Sequence, residues 1–165
     1  MNFQQGDTVM HWTYGLGEIV RLEERDLFGS KTLYYAVQIR DLTVWVPADN
    51  KLGSRLRSPK SKSGLKQLLS ILSSPGESLP EDRQERRTRL LELLRDGHTA
   101  SLCHIIRGLS TYGKIRPLNE SDQGILKQAQ TALLAEWSFV LSITPAQAEI
   151  ELHRLLASEP LTSSK

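Results

Sequence analysis

The hydrophobic pattern changes its period once along the chain, and this change constrains the fold more than any other feature. From Phe3 to Asn50, apolar and polar residues alternate in short runs rich in β-branched and aromatic residues. A period of two bounded by Gly, Asp or Pro predicts β-strands. From Leu65 onward, apolar residues recur at spacings of three and four, which predicts one-sided helices. The sequence therefore predicts an α+β protein built in two parts.

The first part contains four predicted strands joined by turns that contain glycine. The strands cover residues 7–11, 18–22, 33–39 and 42–47, with turns at 14–17 and 28–30. Strands this short must curl into a small antiparallel β-barrel to cover their edges. In the last strand Val44 and Val46 share one face, so Trp45 points to the other. Trp45 is then either an exposed contact anchor or is packed against a helix or the second part.

The remaining chain predicts a linker followed by about five helices. Residues 51–63 are rich in Gly, Ser, Pro and Lys and form a linker or exposed loop. Pro80 suits the first turn of the second helix, and Tyr112-Gly113-Lys114 should end the third. Asn119 and Thr144 are predicted N-caps, and Ile150 is among the apolar residues expected to face inward on the last helix.

Positive charge is concentrated in two blocks, although the formal net charge is only +2. Residues 51–66 contain six basic and no acidic residues, and residues 83–116 contain eight basic and three acidic residues. Such blocks indicate either a phosphate-binding surface or a solvated charged face. We predict that the basic side chains at the start of the second helix and before the fourth helix contact DNA: Arg83, Arg86, Arg87, Arg89, Lys114 and Arg116.

Several classes of function have no support in the sequence. No apolar run approaches the roughly 20 residues that span a bilayer, and the N-terminus does not resemble a signal peptide. Cys103 is the only cysteine, which excludes an intrachain disulfide and fits a reducing cytoplasm. Gly15-x-Gly17 lacks the third glycine and the helix of a nucleotide-binding fingerprint. We therefore predict no enzyme activity, no cofactor and no metal site.

Motifs along nearly the whole chain resemble the CarD/CdnL family of bacterial transcription regulators. The first part carries Phe3-x-x-Gly6-Asp7-Thr8-Val9, Tyr14-Gly15-x-Gly17-x-Ile19-Val20, the Tyr34-Tyr35 strand, Val46-Pro47-Ala48-Asp49-Asn50 and Leu56-Arg57. These look like the RNA-polymerase-interacting module that this family shares with the transcription-repair coupling factor. The second part carries Ile105-Ile106-Arg107-Gly108-Leu109 and Leu118-Asn119-x-x-Asp122-x-x-Ile125-Leu126. No single motif is very specific, but their order and spacing are.

The resemblance implies a division of labour between the two parts. Residues 1–57 would form a Tudor-like barrel that binds the β subunit of bacterial RNA polymerase, followed by a linker at 58–63. Residues 64–160 would form a helical domain that touches promoter DNA at the upstream edge of the −10 element and modulates open-complex stability. The tail at 161–165 is expected to be disordered. The resemblance further implies a cytoplasmic, nucleoid-associated monomer with no membrane contact.

Site residues follow from the same resemblance, with two departures. Arg25 matches a basic residue at the polymerase contact, and Trp45 replaces an outward arginine beside Pro47. Relatives place a tryptophan near the start of the second helix as a minor-groove wedge, and that position is Arg83 here. Arginine enters a narrow groove by charge but does not fill an unstacked step as an apolar wedge does. We therefore expect weaker stabilisation of melted DNA; an adaptor that binds polymerase or another partner without DNA is the alternative.

Overall fold

The computed structural model describes residues 3–27 and 29–158. The chain divides into two compact units, Met1–Pro59 and Lys60–Lys165, which we call the β-unit and the helical unit. The predicted disordered tail at 161–165 and the Phe28 position of the predicted turn at 28–30 lie outside the described residues.

The β-unit is a five-stranded antiparallel sheet. Its strands are β1 (Thr8–His11), β2 (Gly15–Leu27), β3 (Ser30–Ile39), β4 (Leu42–Pro47) and β5 (Leu56–Arg57). They pair in the order β4-β3-β2-β1-β5, so β4 and β5 form the two edges. The α+β class is confirmed, but the described pairings do not close the sheet, and "barrel" was too strong a prediction for it.

The core of the β-unit lies on one face of the sheet, as the alternating pattern predicts. Its buried side chains are Phe3, Val9, Ile19, Tyr35, Val37, Ile39, Val46, Leu52 and Leu56. The burial of Leu52 and Leu56 explains why β5 lies within the segment predicted as linker. The second strand, β2, is longer than the predicted 18–22, and the β2–β3 hairpin continues beyond this core. Leu22 and Leu33 lie in that extension and are 48% and 41% exposed.

The helical unit contains five α-helices within the described residues. These are α1 (Lys62–Leu69), α2 (Arg83–Asp96), α3 (Thr99–Ile115), α4 (Glu120–Leu141) and α5 (Pro145–Ala157), with a 3₁₀ turn at Ser70–Ser73 after α1. Their apolar faces enclose one core, in which Trp137 at the C-terminal end of α4 is fully buried. None of the described helices combines the length and the apolar character needed to cross a membrane.

Local capping bonds set most of the helix boundaries. Asn119 and Thr144 both form the predicted capping boxes, with Asp122 and Gln147 as their partners three residues on. Pro80, in contrast, lies outside α2, because Asp82 accepts a hydrogen bond from the Glu85 amide and so caps a helix that begins at Arg83. Asp82 is a preferred N-cap residue, whereas Leu79, which directly precedes Pro80, is a poor one.

Two further predictions about the helices were wrong. Helix α3 continues through Gly113 to Ile115, because Gly113 keeps an ordinary helical backbone and one glycine inside a helix costs only about 1 kcal/mol. Ile150 on α5 points outward and is 70% exposed.

Two buried polar side chains tie the helices together. The Arg107 guanidinium donates to the carbonyl oxygens of Leu72 and Leu156 at 2.9 and 3.0 Å, which satisfies carbonyls at two helix ends. The fully buried Glu136 carboxylate accepts hydrogen bonds from the Thr99 hydroxyl and from the Lys60 amide. These bonds fix the first residue of the helical unit to α4.

Candidate functional site

The outer face of the β-unit carries a cluster of two arginines around Trp45. In the sheet register Arg21 on β2 pairs with Ala36 on β3, which pairs with Trp45 on β4. The guanidinium carbon of Arg25 lies 3.8 Å from the centroid of the Trp45 ring, and that of Arg21 lies 5.1 Å away. Both distances are within the range of cation–π attraction. We call Arg21, Arg25 and Trp45 the Trp45 cluster.

Glu23 holds the two arginines in place. Its carboxylate pairs with Arg21 Nε at 3.0 Å and with Arg25 Nε at 3.7 Å. Residues 21, 23 and 25 share one face of β2 because side chains alternate along a strand. The Trp45 ring is half-buried beneath this arrangement, and the Arg25 side chain remains 37% exposed. The cluster thus combines two partly exposed guanidinium groups with the face of an aromatic ring.

Trp45 lies on the face opposite the valines, as the alternation predicts. Val46 is buried in the core, whereas Trp45 contacts Arg21 and Arg25 on the outside. Pro47 is half-buried two residues further along β4 on the same side, opposite Tyr34. The structure therefore brings Arg25 and Trp45 together from different strands. Sequence reasoning missed Arg21, although its position four residues before Arg25 places both on one face of the strand.

The helical unit presents Arg83 and Arg87 along a shallow groove between the starts of α2 and α4. Both side chains are exposed, and Arg87 donates to the Ser121 hydroxyl at 2.9 Å. Gln84, Asn119 and Glu120 are also among the residues that line this surface, which we call the α2–α4 groove.

Arg86 was predicted to project into solvent, and this prediction was wrong. Its side chain is 3% exposed and forms a bidentate pair with Asp122, at 2.9 Å from Nε and 3.0 Å from Nη2. Nη1 donates to the carbonyls of Pro80 and Glu81 and to the Tyr112 hydroxyl, all within 3.2 Å. The hydrogen bonds that Arg86 donates to the Asp122 carboxylate raise the pKa of Arg86. With its donors occupied inside the fold, Arg86 has a structural role.

The other predicted basic residues differ in how much of their charge is neutralised. Arg89 pairs with Glu77 at 2.7 Å, and Arg116 lies 3.6 Å from Glu81. Lys114 is exposed in the last turn of α3, not in a loop as predicted. Arg83, Arg87 and Lys114 therefore have the most accessible charge of the set.

Two side chains that could react or bind a metal, Cys103 and His11, are buried in the fold. Burial raises the pKa of the Cys103 thiol to about 12. His11 is buried, its Nδ1 accepts from the amides of Thr13 and Tyr14, and burial lowers its pKa. The structure holds no group of three or more His, Cys, Asp or Glu suited to a metal ion in residues 3–27 and 29–158.

Comparison with known proteins matches each of the two units to a domain family. Residues 3–57 match the CarD-like/TRCF RID domain, and residues 67–153 match the CarD C-terminal domain. The Bacillus subtilis (strain 168) protein YdeB, which carries the name of a transcription factor, is 28% identical over 151 residues. That alignment covers 88% of this chain and 96% of YdeB.

These matches define a transcription-related protein of the polymerase-interacting class. The chain belongs to the CarD/CdnL family, as its motifs indicated.

Proposed function

We propose that this protein regulates transcription by binding the β subunit of RNA polymerase with the β-unit and promoter DNA with the helical unit. Arg25, Trp45 and Pro47 would contact polymerase. The duplex near the upstream edge of the −10 element would be contacted by four basic residues: Arg83, Arg87, Lys114 and Arg116. Arg89 would contribute more weakly. The protein would act as a monomer at the nucleoid and modulate open-complex stability.

The Trp45 cluster is the observation that carries the polymerase contact. Arg25 and Trp45 correspond separately to positions of the family's polymerase contact, and here they lie 3.8 Å apart on one outer face. Tryptophan and arginine are the residues that most often dominate the binding energy of a protein interface. The contacts of Arg21 and Arg25 with the Trp45 ring and with Glu23 favour this arrangement, which lowers the side-chain entropy lost on binding.

Binding of the full chain to the isolated β subunit tests this contact. We expect Arg25→Ala and Trp45→Ala each to weaken binding by about 30-fold or more, which corresponds to a hot-spot loss of about 2 kcal/mol. Lys31→Ala is the matched control, because Lys31 is an exposed cation on β3 that forms no ion pair within the part of the chain that the structure describes. Unchanged binding in both cluster variants would refute the assignment.

The DNA contact is supported by the accessible charge along the α2–α4 groove. Contacts from exposed arginines to phosphates release counterions, so affinity falls as salt rises. Arg83→Gln/Arg87→Gln should reduce the slope of log affinity against log salt by about 1.8, at about 0.9 per contact. The measurement is fluorescence anisotropy of a labelled promoter duplex over a salt series.

The adaptor alternative is favoured by one observation. Arg89 and Arg116 are already paired with Glu77 and Glu81, which reduces the charge available to phosphates. A wild-type protein whose weak DNA binding does not respond to salt, while polymerase binding persists, would support that alternative.

A further inference from the structure

A second basic cluster lies where the helical unit begins. Lys60, Lys62 and Lys66 are exposed, and none of them forms an ion pair with the residues that the structure describes. Residues 51–66 contain no Asp or Glu, so the cluster has no neutralising charge nearby in sequence. We call these three residues the lysine cluster; no role follows for them from the family resemblance.

The backbone that carries the lysine cluster is held in place. The Lys60 amide donates to Glu136 Oε2 at 2.8 Å, and Glu136 is itself fully buried and bonded to the Thr99 hydroxyl. Ser61 caps α1 by accepting from the Gly64 amide. The three ammonium groups therefore extend from a fixed segment.

Lys66 lies in the last turn of α1, where the helix dipole favours a cation, but Lys62 is not favoured in this way. Lys62 occupies the first turn of α1, where the helix dipole disfavours a cation. Lys62 and Lys66 are four residues apart on one helix face, where like charges repel. The three exposed cations, which form no ion pair within the described residues, are therefore available to an anionic partner outside the fold.

Helix α4 connects the lysine cluster to the α2–α4 groove. Arg87 bonds to Ser121 near the start of α4, and Lys60 bonds to Glu136 near its end. Fifteen residues of α-helix separate these attachment points by about 22 Å along the axis and by only about 60° around it. Both basic clusters are thus attached to the same side of one helix.

We propose that the lysine cluster is a second binding site for the phosphate backbone of duplex DNA, about 22 Å from the α2–α4 groove. This inference rests on the proposed DNA contact. Duplex DNA is stiff and carries one charge per about 1.7 Å of axis, so about six base pairs span the distance between the clusters. A rigid polyanion of this length is long enough to reach from one cluster to the other. Lysine contacts of this kind would add affinity without reading sequence.

Salt-dependent DNA binding of the full chain tests the site. The variants are Lys60→Gln/Lys62→Gln/Lys66→Gln and, as a control, Lys31→Gln/Lys127→Gln. Lys127 is an exposed lysine on α4, about half a turn around the helix from Glu136. On a labelled 24-base-pair duplex, the triple variant should reduce the salt slope by about 2.7, whereas the control should leave it unchanged. Circular dichroism should show the same helix content in all variants.

The outcomes separate this inference from the proposed function. If Arg83→Gln/Arg87→Gln lowers the slope and the lysine variant does not, the second site is refuted and the proposed function stands. If the lysine variant binds DNA normally but binds polymerase less tightly, the cluster serves an acidic protein surface and the inference is overturned. If the wild type shows no salt-dependent binding, both fail.

Discussion

The pair between Arg86 and Asp122 provides the sharpest test of the structure. Both side chains are 3% exposed, and the guanidinium joins α2 to α3, α4 and the loop before α2. Removing one partner of such a pair leaves a buried charge without compensation, which costs about 3–5 kcal/mol. Arg86→Ala should therefore lower the free energy of unfolding of the helical unit by that amount. The melting temperature should fall by about 12 °C or more, because 1 kcal/mol shifts a domain of this size by about 4–8 °C.

The assay is urea unfolding followed by circular dichroism at 222 nm, a signal dominated by the helical unit. Arg87→Ala is the matched control, since the neighbouring arginine is exposed and should cost about 0.5 kcal/mol or less. The double variant Arg86→Met/Asp122→Leu replaces both charges with apolar groups and should recover part of the loss; about 1 kcal/mol should stay lost, because Asp122 also accepts the capping bond from the Asn119 amide. If Arg86→Ala cost less than about 1 kcal/mol, or if the double variant lost as much as the two single variants together, the assignment of a structural ion pair would be wrong.

Three shorter predictions concern other parts of the molecule. Burial lowers the pKa of His11 below 6.5, so near that pH the unfolded state binds a proton that the folded state does not. The free energy of unfolding should therefore fall as pH drops below about 6.5. His11→Asn should flatten this dependence, as measured by unfolding curves at pH 7.5 and 5.5. Gly17→Ala should destabilise the β-unit by about 1–3 kcal/mol, because a methyl group would stand 2.5 Å from the Ile39 side chain and 2.9 Å from the Gln38 carbonyl. Urea unfolding followed by tryptophan fluorescence, to which Trp12 and Trp45 of the β-unit contribute, measures this; a neutral effect would contradict that packing. Arg83→Trp should lengthen the lifetime of the open promoter complex, because an apolar wedge stabilises unstacked bases; an unchanged lifetime would count against the idea.

Features that depend on neighbouring residues could be predicted from the sequence. The capping boxes at Asn119 and Thr144 join residues only three apart, so residue type and spacing were sufficient. The outward direction of Trp45 followed from the alternation along one strand. The change of period likewise determined where strands give way to helices, because each element must turn its apolar side to a core.

Features that depend on distant partners were decided only by the tertiary structure. Arg86 and Arg87 are adjacent in an arginine-rich run, yet one is buried and the other exposed, because Asp122 lies where only Arg86 can reach it with both arms of its guanidinium. The Trp45 cluster likewise depends on how β2 and β4 align across β3, and that alignment includes a register shift between Ile19 and Arg21. The sequence by itself determined the strands and helices and which face of each is apolar. Which side chains contact each other across those faces was decided by the fold, because these contacts join residues that are separated in sequence and become neighbours only through packing.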